Sequence, residues 1–196
     1  HWSGTEFGII FSTMGISSVF MPALTGIISD RFLNAEKLYG LLHFFGAGAL
    51  FFLPEVDNPT TFFWVMLVNM FFYMPTISLS ITVAYNALIV KDMDVVKDYP
   101  PTRIWGTIGF IVALWVVSLT HNETSANQFY IAGVVSIILG IYAFTLPKCP
   151  PMCKGEKNTS FSRALGLNAF ELFKQRKFAI FFIFSMFLTV KYSIYH

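Results

Sequence analysis

The chain has 196 residues, 55% of them hydrophobic and only 12% charged, with a mean hydropathy of +0.62. Soluble domains carry about 25% charged residues, so a water-exposed globular surface is excluded. The net charge of +2 comes from 13 Lys and Arg against 11 Asp and Glu, and these cations are dispersed, with no dense patch for a nucleic-acid backbone.

Six apolar stretches follow one another, at residues 7–29, 38–53, 62–90, 104–119, 129–146 and 178–195. Most approach the ~20 residues that an α-helix needs to cross ~30 Å of hydrocarbon. The second and fourth are short, and flanking residues are expected to complete those crossings. The ~10-residue alternation of a membrane β-barrel is missing. The intervening gaps differ in charge. The first, third and fifth hold Arg31 and Lys37, then Lys91, Lys97 and Arg103, then seven cations between Lys148 and Lys177. The second and fourth hold Glu55, Asp57, His121 and Glu123 instead. Cationic loops stay on the cytoplasmic side. The fold class is therefore an all-α, polytopic membrane protein with its odd gaps inside. His1 is placed outside, close to a helix and without a basic leader. That start and the stop at His196 lead us to expect a piece of a longer protein.

The first stretch carries Gly4, Gly8, Ser12, Gly15, Pro22 and Gly26 within an arc of ~80°, a seam for close helix packing. It ends in Gly26-x-x-x-Asp30-Arg31. His43 lies inside the second stretch, where an ionisable group is either functional or bonded to a neighbouring helix. The third has Pro75 near its middle, which predicts a kink. It also carries Asn69, Tyr73, Thr76 and Ser80 within ~60°, a polar stripe that must face protein or a wet cavity.

Arg103 follows Asp98-Tyr99-Pro100-Pro101-Thr102 and opens the fourth stretch. The proline pair suits a helix start there. A cation at that end opposes the helix dipole, so it needs Asp98 or a ligand. Thr107 and Phe110 share its face, giving a donor fork, a hydroxyl and an aromatic plane. The plainer alternative is an arginine that marks the membrane edge. Gly133, Ser136 and Gly140 repeat the small-residue seam more weakly in the fifth stretch. Asn122-Glu123-Thr124 is a glycosylation sequon, which carries no meaning if the organism is bacterial. Residues 147–177 read as a cytoplasmic linker with Pro150-Pro151 and a short amphipathic helix over 164–173. Cys149 and Cys153 lie in it as free thiols. Lys191 sits deep in the last stretch, where a cation is expensive. No catalytic constellation, metal cluster or cofactor motif appears, so an enzyme is not expected.

Four blocks carry a resemblance. They are Met21-Pro22-Ala23-Leu24 with Gly26 and Asp30; Tyr73-Met74-Pro75-Thr76; Pro100-Pro101 with Arg103-Ile104-Trp105-Gly106-Thr107-Ile108-Gly109-Phe110; and residues 179–186. With them the chain resembles the bacterial nucleoside permease family, nucleoside:proton symporters of the major facilitator superfamily. The resemblance implies that the six stretches match family helices two to seven. Residues 1–147 would form an N-terminal bundle of five helices without the family's first. Residues 148–177 would link the bundles, and 178–196 would begin the C-terminal one. It implies substrate contacts from Arg103, Thr107 and Phe110; the polar stripe, and not the resemblance, suggests that Tyr73 and Asn69 extend them. Gly26, Asp30 and Arg31 resemble the loop signature that latches one conformational state in the superfamily. Residues 34–37 match the rest of that signature poorly. The amide side chains of the family's seventh helix are missing from residues 189–196. The implied activity is proton-coupled nucleoside uptake across the bacterial cytoplasmic membrane by alternating access, with lipid around a monomer when complete. The alternatives are a carrier of the same fold for a sugar or drug, and a membrane-embedded enzyme or sensor.

Overall fold

The computed structural model describes residues 2–122, 125–151, 174–181 and 183–184. The sequon's Glu123 and Thr124, Cys153, the amphipathic segment 164–173 and Lys191 lie outside them. The chain divides into two compact units, His1–Lys154 and Gly155–His196.

The first unit holds five helices: α1 (Gly4–Arg31), α2 (Ala35–Phe52), α3 (Pro59–Val90), α4 (Val95–Leu119) and α5 (Asn127–Ala143). A single 3-10 turn, Leu53–Glu55, extends α2. There is no strand among the described residues. Short connections make chain neighbours antiparallel. The first four are long and apolar enough to cross a membrane, while α5 is a shorter apolar helix of 17 residues. At 1.5 Å per residue, α1 and α3 reach about 42 and 48 Å. Flanking residues do lengthen the second and fourth spans, which begin at Ala35 and Val95.

The caps explain these boundaries. Ser3 and Glu6 form a reciprocal capping box on α1. The Asn58 side chain accepts the Thr60 amide at 2.8 Å just ahead of Pro59 on α3. Asp94 accepts the Val96 amide at 2.8 Å, and Asp98 Oδ2 accepts the Asp94 amide at 3.0 Å. That box starts α4 well before the proline pair. Pro100 and Pro101 therefore sit inside the helix, and the reading of a start at the prolines is corrected. The carbonyls they leave without donors belong to Val96 and Lys97, both exposed where water reaches them. α3 likewise runs unbroken through the buried Pro75.

α3 packs between α1 and α2, and α2 between α3 and α5. The core cluster of Ala35, Leu38, Leu42, Leu79 and Val83 joins α2 to α3, with Leu146 and Cys149 beside it. The α2–α5 crossing is close because glycines face each other. A Cβ on Gly40 would lie 3.0 Å from the Gly140 carbonyl oxygen, and one on Gly133 would lie 3.0 Å from the Phe51 ring. The weaker of the two predicted seams is thus a packed one. Along α1, Gly4, Gly8, Gly15 and Gly26 meet nothing within 4 Å among the described residues. α4 touches mainly α3, where Tyr85 and Tyr99 meet edge to face at 4.6 Å, and it buries no residue.

In the second unit, the described residues turn helical from 176, and Phe178, Ile180, Phe181 and Phe184 are exposed.

Candidate functional site

The polar stripe on α3 is divided in its use. Asn69 is buried, and its side-chain amide donates to the Gly46 carbonyl of α2 at 3.0 Å. This is the bond between helices that a polar group in lipid requires. Thr76 and Ser80 turn their hydroxyls back onto the carbonyls of Tyr73 and Ile77, at 2.6 and 2.7 Å. Tyr73 alone of the four remains half exposed.

Opposite the stripe, His43 of α2 meets Ser136 of α5. Ser136 Oγ donates to the His43 carbonyl at 3.0 Å, and His43 Nδ1 lies 3.0 Å from the same Oγ. Tyr39 closes one side of the imidazole edge to face at 4.6 Å. The bonded reading of His43 holds, since one ring nitrogen ties two helices; the other, Nε2, is buried without a hydrogen-bond partner among the described residues.

Two adjoining cavities open at this point. One of ≈290 Å3 lies among α2, α3 and α5, lined by Asn69, Tyr73, Thr76 and His43. The other, ≈510 Å3, adds α4 through Phe110, Ala113, Val116 and Val117. They share His43, Leu50, Tyr73, Gln128, Ala132 and Ser136. The second is of the size that holds a small organic solute, and it has the usual make-up of apolar walls with a few polar groups. Tyr73 and Phe110 bring two aromatic side chains to it.

The structure gathers Tyr73 and Phe110 at one cavity and Asn69 at its neighbour. Arg103 and Thr107 line neither. At 100° per residue, the α4 face that lines the cavity is centred about 70° from Arg103 and further from Thr107. Both are exposed, and neither side chain has a hydrogen-bond or ionic partner among the described residues. Arg103 is also a full two turns inside α4, about 12 Å from its start, so the dipole argument for it lapses. Sequence reading passed over Gln128 and the partnership of Ser136 with His43. A signal was available: Ser136 lies between Gly133 and Gly140, and His43 between Gly40 and Gly46, so both occupy glycine-flanked faces.

At the Arg31 end of α1, Gly26 is open, Asp30 is exposed and Arg31 closes the helix. Neither charged side chain has an ion pair among the described residues. The tie there is made by Glu36, 2% exposed in the first turn of α2. Its carboxylate accepts the Cys149 amide and the Asn34 side-chain amide, both at 2.9 Å. Ala35 N–H returns a bond to the Cys149 carbonyl at 3.1 Å, and Asn86 holds the Lys148 carbonyl at 3.1 Å. Burial pushes the Cys149 thiol above its ordinary range, and the Glu36 and Asp30 carboxylates add to the shift.

A sequence model of the family described as Nucleoside H+ symporter matches residues 1–196. The chain is 47% identical to the xanthosine permease of Escherichia coli (strain K12) over 188 residues, 96% of this chain and 45% of that protein. It is 47% identical to the nucleoside permease NupG of the same strain over 193 residues, 98% of this chain and 46% of the relative. A crystal structure of a point mutant of the nucleoside transporter NupG superimposes with a TM-score of 0.82 at 48% identity, covering 94% of this chain and 46% of the other. The chain spans about half the length of the curated relatives it matches.

Proposed function

The chain belongs to the Nucleoside H+ symporter family, with the all-α fold of the major facilitator superfamily, and from that premise we propose that it serves proton-coupled nucleoside uptake. The observation that carries the reading is the family match over every residue. Relatives at 47% identity are a xanthosine permease and a nucleoside permease. A cavity with two aromatic side chains and neutral hydrogen-bonding groups supports it, because a nucleoside is a flat ring bearing hydroxyls and amide-like edges.

In this proposal the protein lies in the bacterial cytoplasmic membrane, surrounded by lipid, as a monomer. Residues 1–147 belong to one helical bundle, 148–177 link it onward, and 178–196 begin a second. The two rock about a midplane site. Phe110 stacks on the base, Arg103 and Thr107 bond polar atoms from the exposed face of α4, and Tyr73 and Asn69 extend the wall. Gly26, Asp30 and Arg31 latch the cytoplasmic side. The protein moves its solute chemically unchanged, so it is a carrier and not an enzyme.

The test is uptake of radiolabelled uridine or adenosine by cells expressing the whole reading frame that carries this chain. Uptake should rise with an inward proton gradient and collapse with a protonophore. Arg103→Ala should abolish it while the protein still inserts in the membrane. Unchanged uptake in that variant would remove Arg103 from the site. Competition by sugars but not nucleosides would redirect the proposal to another solute.

A further inference from the structure

The chain does not come free where α5 ends. Beyond Ala143 the first compact unit runs on to Lys154. The stretch 144–149 is tied at most of its positions. Phe144 stacks on Phe44 of α2 with ring centroids 6.1 Å apart. Leu146 and Cys149 pack on the core cluster that joins α2 to α3. Asn86, near the end of α3, donates to the Lys148 carbonyl at 3.1 Å, and the Ala35 amide donates to the Cys149 carbonyl at 3.1 Å. Every one of these ties runs to α2 or α3, the two helices remote from this stretch in sequence.

Glu36 stands at the centre of the arrangement. It is 2% exposed and has no ion pair among the described residues. A buried carboxylate needs hydrogen-bond donors in place of water. One oxygen accepts the Cys149 amide and the other the Asn34 side-chain amide, each at 2.9 Å. The first turn of α2 adds a helix dipole that favours an anion. Asn34 occupies the N-cap position of α2, yet its side chain makes no capping bond. Asparagine there normally accepts an amide of the first turn. Here it turns its own amide to Glu36, so local helix stability is given up for a hold on the carboxylate. The bond from the Cys149 N–H to that carboxylate is of the stronger, charge-assisted kind.

We infer that Glu36 is a positioning residue that clasps residues 144–149 to the ends of α2 and α3, so that any pivot of the chain that follows lies beyond Cys149, at Pro150-Pro151, and turnover depends on this fixed base. The dependence of turnover rests on the carrier reading above; the clasp itself does not. In alternating access each bundle moves as a body, and a connection whose base slips passes on less of that motion. Glu36 lines neither cavity. Loosening it should therefore slow the cycle and leave the affinity for solute alone.

The test is made in the whole reading frame that carries this chain, in a background whose only cysteine is Cys149. Glu36→Gln and Glu36→Ala both remove the negative charge, but only glutamine keeps an acceptor for the Cys149 amide. Maleimide labelling of Cys149 is followed in opened membranes, beside the maximal uptake rate per inserted protein and the KM for uridine. Glu36→Ala should label about fivefold or more faster than Glu36→Gln. Its maximal uptake rate should fall by a similar factor with KM unchanged, and glutamine should restore it. Equal labelling of the two variants overturns the clasp. Faster labelling with undiminished uptake overturns the dependence of turnover on it, and so does a loss shared by glutamine or a rise in KM. If Glu36→Ala does not insert in the membrane, Asn86→Ala, which frees only the Lys148 carbonyl, is read against wild type by the same measurements. No nucleoside uptake by wild type sinks the nucleoside reading and the claim on turnover together, while the labelling still decides the clasp.

Discussion

Single residues show how closely the membrane environment constrains polar groups. Most Ser and Thr hydroxyls on α1 and α3 bond a carbonyl three or four residues back, as Thr13, Ser17, Thr25 and Ser78 do. Such groups are spent locally and recognise nothing. That is why Asn69 and His43, which reach across helices, say more than the stripe from which Asn69 was singled out. Two helix ends carry local strain. α3 and α4 both finish in a Schellman turn, with amides of Met93 and Asn122 bonding the carbonyls of Leu88 and Val117 at 3.0 Å. The residue in the left-handed position is Asp92 in one and His121 in the other, each with φ of 54°. Glycine is the usual occupant, and the short side chain of aspartate, which can bond locally, suits the region better than that of histidine. His121→Gly should therefore raise unfolding stability by up to about 1 kcal/mol, and Asp92→Gly by less. Thermal unfolding in detergent measures both, and a destabilised His121→Gly would contradict the assignment of that turn.

Helices as elements were legible in the sequence to different depths. The apolar spans could be read because transfer of each side chain into lipid depends little on its neighbours. The start of α4 could not, because Pro100-Pro101 is a start signal that the Asp94–Asp98 box pre-empts one and a half turns earlier. Small-residue seams were visible but not their partners. Among the described residues the glycines of the strong seam on α1 meet nothing within 4 Å, whereas the weak seam on α5 interlocks with α2. Spacing on one helix cannot specify which second helix approaches it, so His43 and Ser136, 93 positions apart, could not be joined from sequence. The difference between the seams is testable. Gly40→Ala places its methyl carbon 2.8 Å from the Phe144 ring and 3.0 Å from the Gly140 carbonyl oxygen. A ring can move but a carbonyl in a helix cannot easily, so overpacking should destabilise by about 1–3 kcal/mol. Gly15→Ala meets nothing within 4 Å among the described residues and should stabilise by up to about 1 kcal/mol, because alanine is the better helix former. Equal unfolding temperatures for the two variants would mean that the α2–α5 contact is looser than its geometry indicates.

At the scale of the whole molecule, the apolar surface is the dominant fact. Leu119 is 78% exposed, Phe11 75% and Trp105 73%, and both α1 and α4 carry such side chains along their length. Water-soluble monomers rarely expose patches of that extent, and lipid or further protein must cover them. Charge predicts the direction of the threading, with Arg31, Lys37, Lys91, Lys97 and Lys148 at one end and Glu55, Asp57 and His121 at the other. A membrane-impermeant maleimide tests it in intact cells, in a background whose only cysteine is the one under study. Cysteine in place of Asp57 should be modified from outside. Cysteine in place of Lys91, and the native Cys149, should react only after the membrane is opened. Even then Cys149 should lag, because its thiol is partly buried and its pKa is raised by that burial and by the nearby carboxylates of Glu36 and Asp30. A raised thiol pKa means less thiolate at neutral pH, so its labelling should climb at higher pH than that of the exposed cysteine at position 91. Glu36→Gln removes one of those charges while keeping an acceptor for the Cys149 amide. It should move the Cys149 profile toward lower pH without releasing the segment after α5. Modification of Cys149 from outside the intact cell would reverse the threading, and with it the assignment of the cation-bearing loops to the cytoplasm.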